Sequence, residues 1–358
     1  MILVDFSGIL FQNIFGAINA TKPSKNEESG KYKTSEFMPV ARAFILSTLF
    51  KIQQEHSATK GEICICLDNT REGNWRKDLL TSYKSSRKEG RENSEIHFGE
   101  VFEDIDKFVE QLRTNTPWRV VDVKCAEGDD VILCLAKHYA KTEPILIISA
   151  DKDMIQAQRH GNVVQYSPLT RKWVTPETKG GNMDFWLTEH VILGDDADEV
   201  PRITERTEFS ISFKGYLESK GLNYTPRTFN QLTQAEQILI LDDFDVLTKK
   251  GNKDVWKQPR LGSSTIQKML ENGTIEEWLD SNELYRENYE RNKRLVLDDF
   301  IPTEIYNSSI TNYIESKKSL SKENTVAFKK YLCSNGLERL SLDLPLNFIA
   351  NGLDWGDI

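Results

Sequence analysis

Short apolar runs alternate with helical patterns through the first half of the chain. The apolar runs lie at 1–6, 62–68, 118–123, 144–150 and 163–166, and the helical patterns lie at 37–55, 101–112 and 129–140. Strands that are buried on both faces have this continuous apolar character. Their alternation with amphipathic helices predicts an α/β fold, with a mostly parallel sheet flanked by helices.

The second half of the chain has a different pattern. Strand signals nearly vanish, and helical patterns lie at 228–243, 263–272, 283–297, 303–317 and 321–334. We therefore expect an α/β domain over 1–200 and a mostly helical region over 201–358. The polar segment 205–260 fits neither pattern well, and we interpret it as an insertion.

Acidic residues follow the predicted strands or begin the predicted helices. They are Asp5, Asp68, Glu127, Asp129, Asp130, Asp151, Asp153, Asp195 and Asp198. Each alone has an ordinary explanation as a turn residue or a helix cap. Because the carboxyl ends of parallel strands line one crevice, their joint placement predicts a shared acidic pocket.

A pocket of this kind needs positive charge to offset the repulsion between its carboxylates. Two unit charges about 4 Å apart repel by about 4 kcal/mol at an effective dielectric of about 20, so divalent cations are expected among the carboxylates. Oxygen ligands without nearby His or Cys favour Mg²⁺ or Mn²⁺ over zinc. The pattern indicates a metal-dependent phosphoryl-transfer site.

The charge distribution permits a nucleic-acid partner in spite of the overall balance. The net charge of −9 argues against such a partner, but residues 71–91 hold seven Lys or Arg against three Asp or Glu. Screening limits the reach of charges to about 8–10 Å at physiological salt, so this local excess is what a phosphate backbone meets.

Two further features concern the cellular location and the state of the cysteines. The sequence has no apolar run of the roughly eighteen residues that a membrane span needs and no recognisable signal peptide, so we expect a cytoplasmic protein. The five cysteines show no CxxC pair, and their odd number indicates free thiols.

The acidic motifs and their flanking residues resemble those of the 5′-nuclease family, which includes flap endonucleases and bacterial 5′-exonuclease domains. The motifs are ILVDFSG, ICICLDN with WRKDLLTSYKSSRK, AEGDD, SADKD and GDDADEVP. Two departures stand out. Gly128 replaces the family's Ala, and the glycine-rich helix-hairpin-helix expected after GDDADEVP is not evident. The resemblance implies a PIN-like twisted sheet followed by a helical C-terminal region.

The resemblance also implies roles for individual residues. Asp5, Asp68, Glu127, Asp129 and Asp130 are expected to hold or support one Mg²⁺, and Asp151, Asp153, Asp195 and Asp198 a second, with Mn²⁺ as a substitute. Arg76 and Lys84 are expected over the reacting phosphate, in a basic arch at about 70–97. If this arch is helical, their spacing of eight residues places them on one face. The expected nucleic-acid contacts are Lys77, Tyr83 (by stacking), Arg87, Lys88, and a phosphate-binding turn at Gly262, Ser263 and Ser264.

The activity implied by the resemblance is that of a hydrolase. We expect a 5′-3′ exonuclease and flap endonuclease that removes RNA primers and 5′ DNA flaps during phage DNA replication. Its partners would be branched or nicked DNA and RNA–DNA hybrids with a free 5′ end, bound by a monomer. A sliding clamp or single-strand-binding protein is a further candidate partner for the C-terminal tail, although we favour packing of this leucine-rich tail on the last helix.

Two alternatives stay open at this point. A replication-fork scaffold that binds flaps without cutting them would require lost carboxylates, and no family carboxylate is lost. A PIN-like RNA endonuclease shares the acidic pocket, but such proteins are usually shorter and lack the basic arch. A haloacid-dehalogenase-type phosphatase is excluded because it needs a second Asp where this chain has Ser7.

Overall fold

The computed structural model describes residues 1–176, 182–204, 261–317 and 322–342, together with the isolated residues 221, 233 and 236. These residues form two compact units. The first contains Met1–Met183 together with the described residues from Leu297 onward, and the second contains the described residues between Asp184 and Val296. The sequence-based boundary near residue 200 stays a prediction about domain organisation. Apart from those three isolated residues, the predicted insertion at 205–260 and the predicted helix at 228–243 lie outside the described residues.

The first unit is built on a six-stranded sheet. Its strands are β1 (Ile2–Asp5), β2 (Ile63–Leu67), β3 (Arg119–Asp122), β4 (Ile145–Ile148), β5 (Val163–Ser167) and β6 (Lys172–Val174). The strand order is β3-β2-β1-β4-β5-β6, with β1 to β5 parallel and β6 antiparallel to β5. The five predicted strands are therefore confirmed, and β6 was not predicted.

The strand order reverses direction between β1 and β4. Ile2 of β1 pairs with Ile63 of β2 on one side and with Leu146 of β4 on the other. Asp5 consequently ends β1 beside the segment that follows β4. A crevice at such a reversal is the usual ligand site of an open α/β sheet.

Helices cover both faces of this sheet. They are α1 (Phe6–Thr21), α2 (Thr34–Lys60), α4 (Phe98–Asn115) and α5 (Gly128–Tyr139), whereas the short helix α3 (Ser86–Glu92) buries no side chain. Alternate residues of a strand face opposite sides. Ile2 and Val4 thus join the apolar layer beneath α1, α2 and α4, while Leu3 joins the layer beneath α5. The predicted α/β architecture is confirmed, and α1 and α3 are additions to the predicted helices.

The chain returns to the first unit after residue 296. Helices α10 (Thr303–Glu315), α11 (Lys322–Ser334) and α12 (Glu338–Leu342) follow a short 3-10 turn at Asp298–Phe300. In that turn the buried Asp298 donates its backbone N–H to Gln156 Oε1 at 2.8 Å, and its carboxylate pairs with Arg159 and His160. These contacts hold the 3-10 segment Lys152–His160 that follows β4.

The second unit is helical where it is described. Its helices are α6 (Met183–Leu193), α7 (Ser263–Glu271), α8 (Ile275–Asp280) and α9 (Glu283–Val296). Its core includes Phe185, Ile192, Ile203, Ile266 and Leu279. The predicted helices at 263–272 and 283–297 are confirmed, as are those at 303–317 and 321–334 in the first unit. Among the described residues, none of the helices is both long and apolar enough to cross a membrane.

Candidate active site

The first two acidic side chains of the site are held by serines and backbone amides. Asp5 Oδ1 accepts a hydrogen bond from the Gly8 N–H at 3.0 Å, and Asp5 Oδ2 accepts one from Ser149 Oγ at 2.8 Å. Asp68 Oδ1 accepts from the Gly128 N–H at 2.7 Å, and Oδ2 accepts from Ser7 Oγ at 2.8 Å. Each carboxylate therefore joins the end of one strand to a neighbouring element and keeps a defined orientation.

Glycine at position 128 allows the close approach of α5 to β2. A Cβ built there would lie 3.1 Å from the carbonyl oxygen of Cys66 and 3.3 Å from Asp68 Oδ1. Gly128 is also the residue that donates its N–H to Asp68. The replacement of the family's Ala by Gly128 thus falls where the backbone of α5 contacts the end of β2 and Asp68.

Asp5, Asp68, Asp129 and Asp151 form a cluster of like charges, which we call the acidic edge. Burial, followed by the charges of Asp5 and Asp151, raises the pKa of Asp129 well above its usual range. Burial also raises the pKa of Asp5, and the charge of Asp68 adds to this shift. Within the described part of the chain, no group donates a hydrogen bond to the Asp129 side chain.

The donor set of the acidic edge fits a hard divalent cation. It consists of carboxylate oxygens, and their mutual repulsion is the property that a bound cation would remove. Asp151 and Asp153 lie directly after β4, where the Asp153 N–H donates to Asp151 Oδ1 at 2.8 Å. The structure therefore brings five of the predicted metal residues to one edge of the sheet.

The remaining two acids of the α5 start are neutralised by protein groups. Glu127 caps α5, and its backbone N–H donates to Asp130 Oδ2 at 3.0 Å in a capping box. The fully buried Asp130 also accepts two hydrogen bonds from the Arg76 guanidinium, at 2.7 and 3.0 Å, and one from Trp75 Nε1 at 3.1 Å. These contacts give Asp130 a structural role in this conformation.

Glu127 is surrounded by three donors. Lys84 Nζ donates to Oε1 at 2.7 Å, while the Tyr83 hydroxyl and Arg76 donate to Oε2 at 2.9 and 3.3 Å. Burial alone would raise the pKa of Glu127, but the charges of Lys84 and Arg76 outweigh burial and lower that pKa. The surroundings of Glu127 therefore favour its ionised form, whereas those of Asp129, two residues later, raise the pKa.

The arch that supplies these donors is not the continuous helix on which the predicted common face depended. Trp75–Asp78 is a 3-10 turn, Lys84 has a left-handed backbone with φ 52°, and α3 begins only at Ser86. Arg76 and Lys84 still converge, because both side chains reach Glu127. The condition that residues 76–84 form one helix is therefore not met. Arg76 and Lys84 are brought together by their contacts with Glu127.

Tyr83 occupies a different environment from the one expected for a base-stacking residue. Its side chain is 3% exposed, and its hydroxyl is engaged with Glu127. The ring is thus covered by protein in this conformation and is not accessible to a base. A stacking role for Tyr83 stays a prediction that requires the arch to rearrange.

A basic groove opens beside Glu127 and Asp68, which both line it. Its volume is about 560 Å³. The basic residues in its lining are Lys31, Arg71, Lys77, Lys84, Arg87, Lys88 and Arg91. Sequence reasoning identified four of them and missed Lys31, Arg71 and Arg91 as site residues. Arg71 and Arg91 lie within the basic stretch already noted, whereas Lys31 had no local signal.

Lys31 reaches the groove through a tertiary contact. Lys25 and Tyr32 form an isolated antiparallel bridge, and the Tyr32 N–H donates to the Glu95 carbonyl at 2.8 Å. Lys31 Nζ in turn donates to the Glu92 carbonyl at the end of α3, at 3.0 Å. The loop between α1 and α2 therefore contributes Lys31 to the lining of the groove.

The remaining predicted site residues belong to the second unit. The backbones of Asp195 and Val200 exchange two hydrogen bonds that close a turn, and Asp195 Oδ1 accepts from the Ala197 N–H at 2.8 Å. This turn is not the helical turn that was the condition for Asp195 and Asp198 to face together. Gly262 precedes α7 with an extended backbone, and Ser263 and Ser264 are exposed at its first turn. The metal and phosphate roles of these residues stay predictions.

Comparison with known proteins agrees with this geometry. The model of the family described as "5'-3' exonuclease, N-terminal resolvase-like domain" matches residues 1–180. Ribonuclease H of Enterobacteria phage T4 is 32% identical over 174 residues, which cover 48% of this chain and 56% of that protein. The 5'-3' exonuclease of Buchnera aphidicola is 26% identical over 209 residues, covering 57% of this chain and 65% of that protein. Both matches span less than two thirds of the relative's length.

Two solved structures share the fold. The D15 protein of bacteriophage T5, co-crystallized with metal ions, aligns with a TM-score of 0.50 at 16% identity and covers 88% of this chain and 99% of that one. The T5 flap endonuclease in a pseudo-enzyme-product complex with DNA and metal ions aligns with a TM-score of 0.51 at 15% identity, covering 89% and 99%. The family predicted from the motifs is confirmed, and this chain belongs to the 5'-3' exonuclease family.

Proposed function

We propose that this protein is a divalent-cation-dependent 5′ nuclease that hydrolyses phosphodiesters near free 5′ ends. Its substrates would be RNA primers paired with DNA and 5′ DNA flaps, processed during phage DNA replication. The observation that supports this proposal most directly is the adjacency of the acidic edge and the basic groove. Asp68 and Glu127 line the same groove as seven Lys or Arg side chains, so the proposed metal ligands and the proposed phosphate-binding groups are neighbours.

The proposed cofactor is a pair of Mg²⁺ ions, with Mn²⁺ as a substitute. Asp5, Asp68, Asp129 and Asp151 would hold the cations, with Glu127 at the border of the groove. Bound cations would supply an activated water and would stabilise the leaving oxygen. The names of the T5 structures, which include metal ions, support a metal requirement. Asp153, Asp195 and Asp198 are proposed as further ligands, in part through water.

The protein groups around the acidic edge perform the remaining tasks. Ser149 and Ser7 orient the carboxylates of Asp5 and Asp68 through their hydrogen bonds. Lys84, which contacts Glu127 and lines the groove, would contact a phosphate that enters from the groove. Lys77, Arg87, Lys88, Arg91 and Lys31 would bind the backbone of a single-stranded 5′ end. Charge-assisted contacts of this kind bind nucleic acid without reading sequence.

The substrate class is proposed from the groove and from the names of the relatives. The relatives are a ribonuclease H and a 5'-3' exonuclease, and one similar fold is a flap endonuclease in complex with DNA. We propose a monomer in the host cytoplasm. A clamp or single-strand-binding partner for the C-terminal tail stays a prediction, because residues beyond 342 lie outside the described ranges.

The test is a cleavage assay on two substrates. A 5′-flap DNA duplex and an RNA–DNA hybrid, each labelled at both ends, are incubated with Mg²⁺ or with EDTA. We expect short products from the 5′ side with Mg²⁺ only, and none from Asp129→Asn. Glu103→Gln, an exposed carboxylate on α4, serves as the matched control and should cut normally.

The outcome separates the proposed nuclease from the scaffold alternative. Flap binding without cleavage in either Mg²⁺ or Mn²⁺ would favour a non-cutting fork protein. Cleavage that persists in EDTA would remove the role assigned to the acidic edge. The ratio of products from the two substrates ranks RNA and DNA 5′ ends.

A further inference from the structure

Two basic side chains reach Glu127 side by side, but they are held differently. The Arg76 guanidinium donates two hydrogen bonds to the buried Asp130, lies 4.4 Å from the Trp75 ring centroid and is 7% exposed. A rigid bidentate contact of this kind, in a buried setting, holds the charge in one place. Arg76 is therefore a fixed part of the protein interior.

The Lys84 side chain is also largely buried, at 12% exposed, but it is anchored differently. Its ammonium is a compact group on a flexible four-carbon stem, and it lines the open groove together with Glu127. Its backbone has φ 52°, in the left-handed region that non-glycine residues rarely adopt. The surrounding turn at 81–85 connects the 3-10 turn to α3, so a change at Lys84 need not disturb the sheet or α5.

The Lys84 ammonium lies close to two of the acidic side chains. It lies 2.7 Å from Glu127 Oε1, and its charge acts on Asp129, the acid whose like-charged neighbours are Asp5 and Asp151. Lys84 thus supplies positive charge at the border of the acidic edge. A divalent cation on these carboxylates would bring a like charge close to the ammonium, and the two would repel each other.

We propose that Lys84 is an exchangeable counter-ion, which a divalent cation displaces from Glu127 and which then turns into the basic groove. The proposal rests on the function proposed above, because it assigns the cation to the acidic edge. Its consequence is an ordered site, in which the phosphate-binding lysine becomes available only after the cation has bound. Arg76 stays on Asp130 throughout.

The first test uses the wild-type protein and Mg²⁺ alone, without nucleic acid. Amine acetylation at each lysine is quantified by mass spectrometry in EDTA and in Mg²⁺ at matched ionic strength. We expect the Lys84 labelling rate to rise several-fold with Mg²⁺, while Lys77, exposed in the same groove, stays constant. A Lys84 rate that is unchanged while Mg²⁺ binds would overturn the exchange.

The second test measures Mg²⁺ affinity by calorimetry for Lys84→Met and for the control Lys77→Met. Removal of one unit charge a few ångströms from the cation should tighten binding by about tenfold in Lys84→Met. Lys77→Met removes the same charge from the same groove and should change the affinity far less. Equal affinities in the two variants would contradict the proposal, and thermal melts show whether each variant is folded.

The two proposals fail in different ways. If the wild-type protein binds no Mg²⁺ or Mn²⁺, the metal-dependent function itself is wrong. If it binds the cation but Lys84 keeps its low reactivity, only the exchange is wrong. Should Lys84→Met not fold, the acetylation result on the wild-type protein decides.

Discussion

Asp129 and Asp130 are neighbours in the first turn of α5, yet their surroundings are opposite. Asp130 is fully buried and is paired with Arg76, Trp75 and the N–H of Glu127. Asp129 lies among Asp5 and Asp151, and burial and these charges raise its pKa. Successive residues of a helix point about 100° apart, so one faces the arch and the other faces the acidic edge.

The four residues Glu127–Asp130 thus serve two different purposes. Glu127 and Asp130 cap the helix and anchor the arch, which stabilises the folded protein. Asp129 and its neighbours bring like charges close together, which lowers stability, and in the proposed function these residues would hold a cation. Substitutions that remove the same charge from each position should therefore have opposite consequences.

The largest expected effect is on catalysis. Asp129→Asn or Asp151→Asn should lower the cleavage rate in Mg²⁺ by at least about 1000-fold. Removal of a single group that stabilises the transition state typically lowers a rate by about 100-fold to 1000-fold. Both variants should stay folded, because they relieve repulsion. Single-turnover cleavage of the flap substrate, with circular dichroism alongside, measures both statements. Cleavage near the wild-type rate in both variants would falsify the metal-site assignment.

The next effect is on stability and concerns the adjacent acid. Asp130→Asn leaves the buried Arg76 charge without its main partner, and we expect a loss of about 3 kcal/mol in the free energy of unfolding. Asp129→Asn is the matched control and should be neutral or stabilising in EDTA. Urea denaturation of both variants gives the comparison. Equal losses would show that the two positions do not differ.

A smaller effect is expected at the arch. Lys84→Ala should lower the single-turnover rate by about 100-fold, because its charge acts on the transition state more than on the bound substrate. The dissociation constant for flap DNA, measured in Ca²⁺, should change much less. Lys88→Ala, in the exposed part of the groove, should show the reverse balance. Parallel losses of rate and affinity in Lys84→Ala would make it only a binding residue.

The smallest expected effect is the pH dependence of stability without cations. The pKa values of Asp5 and Asp129 are raised in the folded state, chiefly by burial. The folded protein thus binds more protons than the unfolded chain above the ordinary Asp pKa of about 4. Stability from these two groups is present below that pH and is lost as the pH rises through their folded-state pKa values.

Denaturation midpoints in EDTA check this sign. In Asp129→Asn the decline with rising pH should be smaller than in the wild-type protein. Addition of Mg²⁺ should also reduce the decline, since the cation favours the ionised carboxylates. A wild-type profile identical to that of the variant would mean that Asp129 does not titrate as its surroundings imply.

Much of the fold followed from local pattern. The apolar runs predicted the five parallel strands because buried strands need continuous apolar residues. The acids of the first unit were expected at the sheet edge because parallel strands share one carboxyl end. In contrast, β6 and the helices α1, α3, α6, α8 and α12 were missed. Helix α1 follows β1 with no intervening loop, and β6 has only three residues, two of them exposed.

The contacts of the site were less predictable. Ser149 and Ser7 are ordinary serines in sequence, and only their hydrogen bonds to Asp5 and Asp68 show a role. Lys31 is distant in sequence from the arch and reaches it through the Tyr32–Glu95 contact. The left-handed backbone of Lys84 has no sequence signature, because lysine rarely adopts it.

The sequence by itself determined the α/β fold, the family and the placement of carboxylates at strand ends. These depend on apolar periodicity and on short motifs, which act over a few residues. Only the tertiary structure decided which carboxylates repel each other and which are neutralised by Arg76, Trp75, Tyr83 and Lys84. The physical reason is that electrostatic environment depends on distances between side chains far apart in the chain, and packing alone sets those distances.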